Sequence, residues 1–358
     1  MSKYRITHIR TYVKNLDLIR PYTIAYETFD SVVNIFLEIE TDEGLVAIGS
    51  GSPSAFVTGE TMESAQKALL DLNNWLLGKD IRELNSLIRE IHRKYPKNPA
   101  VVAAADIALH DAYGKMLDIP LVKMWGIVHK RLPTSVTIGI KSEQESVREA
   151  QEYMDRGFKI IKLKTGKSVA EDIAIFSKIR ETVGKAIKIR VDANQGYSVK
   201  DTKKFYKATK KIGLELIEQP LPFDDLKTMK RLPKKIRKIC MADESLKTTT
   251  NAVRLARTPH KFGLYNIKLM KCGGMAAGKQ IANIAHWADI GLMWGCMDES
   301  IISITAGLHA ALSSPATRYL DLDGSLDLAT DVVTGGFVLQ DGYLSLTDAP
   351  GLGVTKIP

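Results

Sequence analysis

The chain has 358 residues, of which 45% are hydrophobic and 25% are charged, and this composition is typical of a globular protein. We find no apolar leader after Met1 and no apolar stretch of membrane-spanning length, so we expect a cytoplasmic protein without a membrane partner. The formal net charge is +9, but the lysines are interleaved with apolar residues at helical spacing, which argues against a nucleic-acid partner. The positive charge would steer anionic substrates toward the protein.

The three cysteines, Cys240, Cys272 and Cys296, do not form a CxxC pair. This spacing argues against a structural zinc site and is compatible with a reducing compartment. We therefore expect free, buried thiols.

The first 125 residues have the pattern of an α+β unit. Residues 6–13, 33–40 and 45–49 alternate or run apolar, with a Thr-Asp-Glu-Gly turn between the last two. Helical periodicity follows over residues 62–77, 81–95 and 99–116, and the last of these helices begins at a proline. We predict that residues 1–125 form an N-terminal capping domain.

From residue 133, short β-branched runs recur about every 25 to 30 residues, which is the period of a βα barrel. The runs cover residues 134–140, 158–164, 187–192, 214–218, 239–242, 264–268, 292–294 and 318–322. Helical segments such as residues 169–183 and 278–288 separate them. The pattern predicts an α/β fold with a (β/α)7β TIM-type barrel over residues 126–330. Residues 331–358 are predicted to return onto the capping domain and complete it.

Three successive predicted strands end in a carboxylate, namely Asp192, Glu218 and Asp243. The C-terminal ends of barrel strands meet at the mouth that carries catalytic side chains. Three hard oxygen ligands without histidine or thiolate suit Mg²⁺. Separate salt bridges are the alternative, but they give no reason for carboxylates at successive strand ends. The pattern therefore predicts a Mg²⁺ site.

Lysines end two strands on roughly opposite sides of the predicted mouth. Lys162 and Lys164 are two residues apart on the second strand, so they point the same way, and Lys268 ends the sixth strand. Opposed lysines can remove a proton from one face of a bound carbon and return it on the other. We expect neighbouring cations and the metal to lower the lysine pKa toward working pH. The predicted chemistry is proton transfer beside a carboxylate, through an enediolate.

Five motifs occur in order along the chain: Lys162-Leu-Lys164, Asp192-Ala-Asn194, Glu218-Gln-Pro220, Asp243-Glu-Ser245 and Asn266-Ile-Lys268. Together with the predicted domains, they resemble the muconate lactonizing enzyme subgroup of the enolase superfamily over nearly the whole chain. The resemblance implies Mg²⁺ on the three carboxylates, with Asn194 and Glu244 beside them. It also implies Lys164 as the acid/base for the (R)-configured α-carbon and Lys268 for the (S)-configured one, with Lys162 adding positive charge.

The sixth and eighth strand ends distinguish reactions within this family. None of the seven histidines stands at a predicted strand end, unlike the His-Asp dyad of mandelate racemase-like dehydratases. Asp321 and Asp323, two apart on the eighth strand, suit an α-ammonium group and resemble the dipeptide epimerases. The alternative is that Asp323 only caps the turn at Gly324. We therefore predict an isomerase that epimerises the α-carbon of the C-terminal residue of a dipeptide.

Two acidic residues bear on side-chain specificity. Family members that act on L-Ala-D/L-Glu carry an arginine on a capping-domain loop where this chain has Glu27, and Asp298 adds negative charge after the seventh strand. Residues 294–300 and 318–324 resemble members that prefer cationic dipeptides, so we expect a preference for L,L-dipeptides containing Lys or Arg. Residues expected to line the substrate are Thr137, Lys162 and Cys296, under capping loops at residues 19–27 and 50–59.

Other functions stay open from the sequence. An L-Ala-D/L-Glu or hydrophobic dipeptide epimerase would use the same catalytic residues, and a homo-oligomer of any such enzyme is compatible with the sequence. An o-succinylbenzoate synthase or cycloisomerase would share the scaffold, and a non-catalytic binding protein would reuse the barrel. Two opposed lysines favour the epimerase, because a lyase or synthase can work with a single base.

Overall fold

The structure is a computed structural model that describes residues 4–23 and 28–357. Its first unit is an antiparallel sheet in the order β1-β2-β3, formed by β1 (Ile6–Thr23), β2 (Thr28–Thr41) and β3 (Val46–Gly51). β1 is longer than the predicted run of residues 6–13, because its pairing with β2 extends as far as the partners Thr23 and Thr28. Glu27, predicted as a specificity residue, lies outside the described residues.

Four helices complete the capping unit: α1 (Met62–Leu76), α2 (Leu84–Lys94), α3 (Pro99–Met116) and α4 (Leu121–Trp125). A single 3₁₀ turn, Ile81–Glu83, precedes α2. Thr61 caps α1 by accepting a hydrogen bond from the Ser64 backbone N–H, and a proline opens α3. Helix α3 packs very closely on β3, since a Cβ added at Gly49 would lie 1.9 Å from the Ala104 carbonyl oxygen. Glycine is therefore required there.

Eight parallel strands form the barrel that the sequence predicted. They are β5 (Val136–Ile138), β6 (Ile160–Lys164), β7 (Lys188–Asp192), β8 (Leu214–Glu218), β9 (Cys240–Ala242), β10 (Leu264–Lys268), β11 (Gly291–Gly295) and β12 (Thr317–Asp321). Neighbours in sequence are neighbours in the sheet. A parallel bridge joins Leu320 of β12 to Thr134, two residues before β5.

Helices follow the first seven barrel strands, which gives the (β/α)7β order. They are α5 (Glu143–Asp155), α6 (Val169–Val183), α7 (Val199–Thr209), α8 (Leu226–Met229), α9 (Lys234–Arg237), α10 (Thr249–Leu255), α11 (Leu269–Cys272), α12 (Met275–Trp287) and α13 (Ile301–Leu312). On α7, Phe205 is buried while Lys203, Lys204 and Lys207 are exposed, as are Lys210 and Lys211 after it. The lysine-rich stretch is thus the outer face of an amphipathic helix.

The final segment contacts both units. Strand β14 (Phe337–Gln340) pairs with β15 (Tyr343–Leu346), which pairs with β4 (Leu132–Pro133) before the barrel, and β13 (Val333–Gly335) pairs with β16 (Val354–Lys356). Toward the capping unit, the Leu352 N–H donates to Asp111 Oδ1 at 2.8 Å. Asp111 Oδ2 accepts from the Ile48 N–H at 3.1 Å. One buried carboxylate therefore joins a capping strand, a capping helix and the chain end.

A buried histidine connects the same regions. His309, on α13, is 1% exposed, and its Nδ1 accepts a hydrogen bond from the Val122 N–H at 3.0 Å. Its Nε2 lies 3.5 Å from the Leu352 carbonyl oxygen. Burial lowers the pKa of His309 to about 4. The ring is thus a neutral connector between α13, α4 and the final segment.

Across the described ranges, no helix combines the length and the apolar character needed to cross a bilayer. The three cysteines are free, and Cys240 and Cys272 are buried while Cys296 is partly exposed.

Candidate active site

A cavity of about 480 Å³ lies at the C-terminal ends of the barrel strands. The capping unit closes one side of it through residues 31–33 and the loop of residues 52–57. The predicted site residues that line it are Thr137, Lys162, Lys164, Asn194, Asp243, Glu244, Lys268, Cys296, Asp298, Asp321 and Asp323. Asp192 and Glu218 lie behind this wall, each 0% exposed.

Strand register brings the predicted metal ligands together. Asp192 and Glu218 are Cα partners across β7 and β8, and Asp243 follows directly after β9. Lys162 Nζ lies 2.9 Å from Glu218 Oε2 and 3.4 Å from Asp192 Oδ2, so it joins the two carboxylates. Asp243 Oδ2 lies 3.1 Å from Lys268 Nζ. Each carboxylate is therefore paired with a lysine.

The two lysines predicted as acid/base groups are held by different carboxylates. Lys164 Nζ lies 2.7 Å from Asp192 Oδ2, whereas Lys268 pairs with Asp243. Burial by itself lowers the pKa of Lys164 and of Lys268, but the paired carboxylates outweigh it and raise both pKa values above the ordinary lysine value. The reason is that the carboxylates stabilise the ammonium form more than the neighbouring cations destabilise it. These directions apply without a metal ion, so the lowering expected from neighbouring cations together with bound Mg²⁺ stays a prediction.

The carboxylates fit a divalent cation chemically. Glu244 Oε2 is buried and accepts no hydrogen bond, which leaves an oxygen atom available to an ion. Glu218 Oε2 also accepts no hydrogen bond, and its charge is met by Lys162 Nζ at 2.9 Å. Burial, reinforced by nearby carboxylates, raises the pKa of Glu218 and of Glu244 to about 7 each. Within residues 4–23 and 28–357, no three His, Cys, Asp or Glu side chains are placed to enclose an ion. An all-carboxylate set suits Mg²⁺.

Asn194 and Glu244 stand next to the metal-ligand candidates, as expected. The Asn194 N–H donates to Asp192 Oδ1 at 3.0 Å, and Asn194 Nδ2 lies 3.4 Å from Glu244 Oε1. Asn194 has a positive φ of 39°, a conformation that asparagine tolerates better than most residues. This turn directs its amide toward both carboxylates.

Asp321 and Asp323 have different environments. Asp321 accepts from Lys162 Nζ at 2.7 Å and from Ser135 Oγ at 2.6 Å, so protein groups hold both of its oxygens. Burial alone raises the pKa of Asp321, but Lys162 reverses this and lowers it. In contrast, burial and the charge of Asp321 raise the pKa of Asp323 to about 7. Asp323 is therefore the more available of the two carboxylates for a substrate cation.

Cys296 and Thr137 lie beside this pair. Cys296 Sγ lies 3.1 Å from the Asp321 carbonyl oxygen and accepts from the Gly324 N–H at 3.3 Å. Burial raises the pKa of the Cys296 thiol, and nearby carboxylates add to this effect. The thiol is therefore a neutral part of the cavity wall and no nucleophile.

Asp298, which the sequence predicted, and Asp327, which the sequence analysis missed, together form an acidic wall of the cavity. Burial raises the pKa of Asp298 to about 7 and that of Asp327 to about 6, and repulsion by Asp298 adds to the second shift. Asp327 is fixed by its backbone, because the Ile19 N–H donates to its carbonyl oxygen at 2.7 Å. No described residue donates a hydrogen bond to either carboxylate, so the wall can accept a cation.

Two further cavity residues were missed, namely Lys247 and Lys271, and Asn266 was named in a motif without a role at the site. Lys247 Nζ reaches the Val57 carbonyl oxygen of the capping loop at 2.9 Å. Asn266 and Lys271 flank Lys268 in sequence, and that spacing is the signal that could have identified them. None of the seven histidines lines the described cavity, which agrees with the exclusion of a His-Asp dyad.

Comparisons with known proteins place the chain in a family. Residues 7–126 match the mandelate racemase / muconate lactonizing enzyme N-terminal domain, and residues 145–356 match the enolase C-terminal domain-like family. The chain is 53% identical to an L-Lys-D/L-Arg epimerase from Desulforapulum autotrophicum, over 99% of this chain and 100% of the relative.

Solved structures agree with this placement. A dipeptide epimerase from Methylococcus capsulatus, complexed with Mg and the dipeptide L-Arg-D-Lys, superimposes with a TM-score of 0.96 at 46% identity, covering 98% of this chain and 99% of that one. A substrate-liganded L-Ala-D/L-Glu epimerase from Bacillus subtilis gives a TM-score of 0.93 at 33% identity, covering 98% and 99%. The chain therefore belongs to the enolase superfamily, in the mandelate racemase and muconate lactonizing enzyme group that includes the dipeptide epimerases.

Proposed function

We propose that this protein is a Mg²⁺-dependent dipeptide epimerase that inverts the α-carbon of the C-terminal residue and favours dipeptides containing Lys or Arg. One observation carries the proposal: a single cavity is lined by Lys164, Lys268 and the acidic wall, and the three buried carboxylates lie next to the two lysines. The family membership and the 53% identity to an L-Lys-D/L-Arg epimerase support it.

Lys164 and Lys268 are proposed to exchange the α-proton. They end β6 and β10, which are separated by three strands around the barrel, so they reach the cavity from different sides. One lysine, as the free amine, takes the proton, and the other, as an ammonium, delivers one to the opposite face. Epimerisation needs both groups, because a single base returns the proton to the face it came from.

Asp192, Glu218 and Asp243 are proposed to hold the Mg²⁺ ion. Bound Mg²⁺ supplies positive charge that orients the substrate carboxylate and stabilises the enediolate. Lys162 lies between Asp192, Glu218 and Asp321 at 3.4, 2.9 and 2.7 Å, so it keeps the buried charges balanced. The capping loop limits access of water to the reacting carbon.

The cationic preference is proposed to come from the acidic wall. Asp323 would meet the α-ammonium group, and Asp298 with Asp327 would meet a cationic side chain. A side-chain carboxylate in the same place would be repelled. Thr137 and Cys296 would contact the substrate at the mouth, and Glu27 stays a predicted contact. The free thiols favour a cytoplasmic location, which we also propose.

The proposal is tested with a dipeptide library incubated in D₂O with Mg²⁺ and analysed by mass spectrometry and chiral chromatography. We expect epimerisation of Lys- and Arg-containing dipeptides, with one deuterium gained at the α-carbon and no bond made or broken elsewhere. A better kcat/KM for L-Ala-L-Glu than for every cationic dipeptide would contradict the specificity. Formation of a cyclised or dehydrated product would contradict the reaction itself.

Lysine variants test the two-base scheme in the same assay. Lys164→Ala and Lys268→Ala are each expected to abolish epimerisation, because each removes one of two required proton carriers. Each variant should still exchange one α-hydrogen with solvent deuterium, in the epimer whose α-hydrogen points toward the remaining lysine. Epimerisation by either variant at the wild-type rate would rule the scheme out.

A further inference from the structure

A short segment that begins in β10 places three buried polar side chains at the metal-ligand carboxylates. Asn266, Lys268 and Lys271 are 0%, 7% and 3% exposed. Asn266 and Lys268 alternate on β10 and so point to the same side of the strand, whereas Lys271 lies on the helical turn α11 that follows. Lys268 is accounted for as an acid/base group, whereas the other two have no role in proton transfer.

Lys271 joins the ends of two barrel strands. Its Nζ donates to the carbonyl oxygens of Asp243 and Asn266 at 2.7 and 3.2 Å. It also donates to Asp243 Oδ1, so all three of its N–H donors can be used. Two of these bonds go to backbone, so they do not depend on whether the Asp243 carboxylate also binds an ion. The other oxygen, Oδ2, faces Lys268 at 3.1 Å.

Asn266 likewise donates a hydrogen bond to one oxygen of a metal-ligand carboxylate, that of Glu218. Its Nδ2 donates to Glu218 Oε1 at 2.6 Å, while Glu218 Oε2 accepts no hydrogen bond. Each carboxylate thus has one oxygen held by Asn266 or Lys271, while its other oxygen faces an active-site lysine: Lys162 for Glu218, at 2.9 Å, and Lys268 for Asp243. Such an arrangement fixes the orientation of a carboxylate through one oxygen, and the oxygen that faces a positive group is the one that a cation would use.

We propose that Asn266 and Lys271 are positioning residues that orient the carboxylates of Glu218 and Asp243 for the divalent cation. The inference rests on the metal-binding part of the proposed function. This role accounts for a lysine at position 271, where a positive charge would otherwise oppose the binding of the divalent cation. The geometry of the carboxylate outweighs that repulsion.

The change in cation affinity on removing Lys271 distinguishes a positioning role from a role in charge balance and from a role in fold stability. If Lys271 only balanced charge, its removal would strengthen cation binding, because a repulsive neighbour is lost. If it only stabilised the fold, its removal would lower the melting temperature and leave cation affinity unchanged. A positioning role predicts weaker cation binding.

The test measures Mn²⁺ dissociation constants by electron paramagnetic resonance, without dipeptide, on the full chain. For Lys271→Met we expect the dissociation constant to rise by about 10- to 100-fold. The matched control is Lys115→Met, because Lys115 also donates to a carboxylate, Asp111, and to a backbone carbonyl, Val46, but lies in the capping unit. Its Mn²⁺ affinity should equal that of the wild type.

An unchanged or lower dissociation constant for folded Lys271→Met would overturn the proposal for Lys271. If that variant does not fold, Asn266→Ala and Lys271→Arg are measured in the same way. We expect Asn266→Ala to weaken Mn²⁺ binding. We expect Lys271→Arg to bind Mn²⁺ more tightly than Asn266→Ala does. Wild-type affinity in Asn266→Ala would refute the role of Asn266. Wild-type protein that binds Mn²⁺ but turns over no dipeptide would refute the proposed function and leave this inference standing.

Discussion

Asp298, Asp323 and Asp327 illustrate how single residues set the charge of the cavity. Burial raises the pKa of Asp298 and Asp323 to about 7 each, well above the ordinary aspartate value of 3.8. These carboxylates are therefore largely protonated at acidic pH and ionised at alkaline pH. Because a cation binds the ionised form, substrate affinity is linked to their ionisation.

We predict that KM for a Lys- or Arg-containing dipeptide falls as the pH rises through about 7, since Asp298 and Asp323 lose their protons there. Asp298→Asn should raise KM by roughly 10-fold or more, the value of a charge-assisted hydrogen bond, and should flatten part of the pH dependence. Steady-state kinetics between pH 5.5 and 8.5, a range of about three units around these values, provide the measurement. A pH-independent KM in the wild type would contradict this account.

At the scale of elements, α13 is joined to α4 and to the final segment through His309. The ring accepts the Val122 N–H at Nδ1, so a proton can bind there only if that hydrogen bond breaks. The pKa of His309 falls from 6.5 to about 4 in the folded chain. Between these two pH values the unfolded state binds a proton that the folded state does not, and stability is lost as the pH falls.

This contact predicts that acidification from pH 6.5 to pH 4 removes about 3 kcal/mol of the free energy of unfolding through His309 alone. His309→Asn should be less stable than the wild type at neutral pH and should show a smaller loss over that interval. Urea denaturation at several pH values measures both. His8→Asn, a change at an exposed histidine, is the control, and an equal pH response of wild type and His309→Asn would refute the prediction.

For the whole molecule, the final segment makes the capping unit and the barrel depend on each other. Leu352 is 0% exposed, and its backbone N–H is held by Asp111 of α3. The Leu121 N–H also donates to the Gly351 carbonyl oxygen at 3.0 Å. These contacts cross between parts of the chain far apart in sequence.

We therefore predict a single thermal transition in which both units unfold together. Leu352→Ala should lower the free energy of unfolding by about 2 to 5 kcal/mol and shift that transition without splitting it. Differential scanning calorimetry gives the ratio of calorimetric to van't Hoff enthalpy, which should be near one. Val338→Ala, at a half-exposed position on β14, should change little. Two resolved transitions in the wild type would contradict the prediction.

Much of the fold follows from local patterns in the sequence. Strands β8 and β10 have the predicted bounds, because each is a short apolar run that ends at a charged site residue. The predicted barrel, the helix at residues 99–116 and the membership of the enolase superfamily are confirmed. The division at residues 125 and 330 stays a prediction.

Other features depend on contacts that no local pattern encodes. The length of β1 is set by its partner strand, and Asp327 reaches the cavity only because β1 pairs with the loop that carries it. The pairing of Lys164 with Asp192 and of Lys268 with Asp243 is a further example, since sequence spacing does not show which carboxylate each ammonium meets. The net charge does not describe the cavity either, because carboxylates such as Asp298, Asp323 and Asp327 line it although the chain is basic.

The outer lysines of α7 create an electric field opposite in sign to that of the cavity wall. At physiological ionic strength the Debye length is about 8 Å, so a doubly cationic dipeptide in solution senses the carboxylates only when it is almost at the entrance. In dilute buffer, at about 0.01 M ionic strength, the Debye length grows to about 30 Å, so the net charge of +9 acts on the dipeptide at a greater distance. We therefore expect diffusional encounter with such a dipeptide to be slower in dilute buffer than at physiological salt.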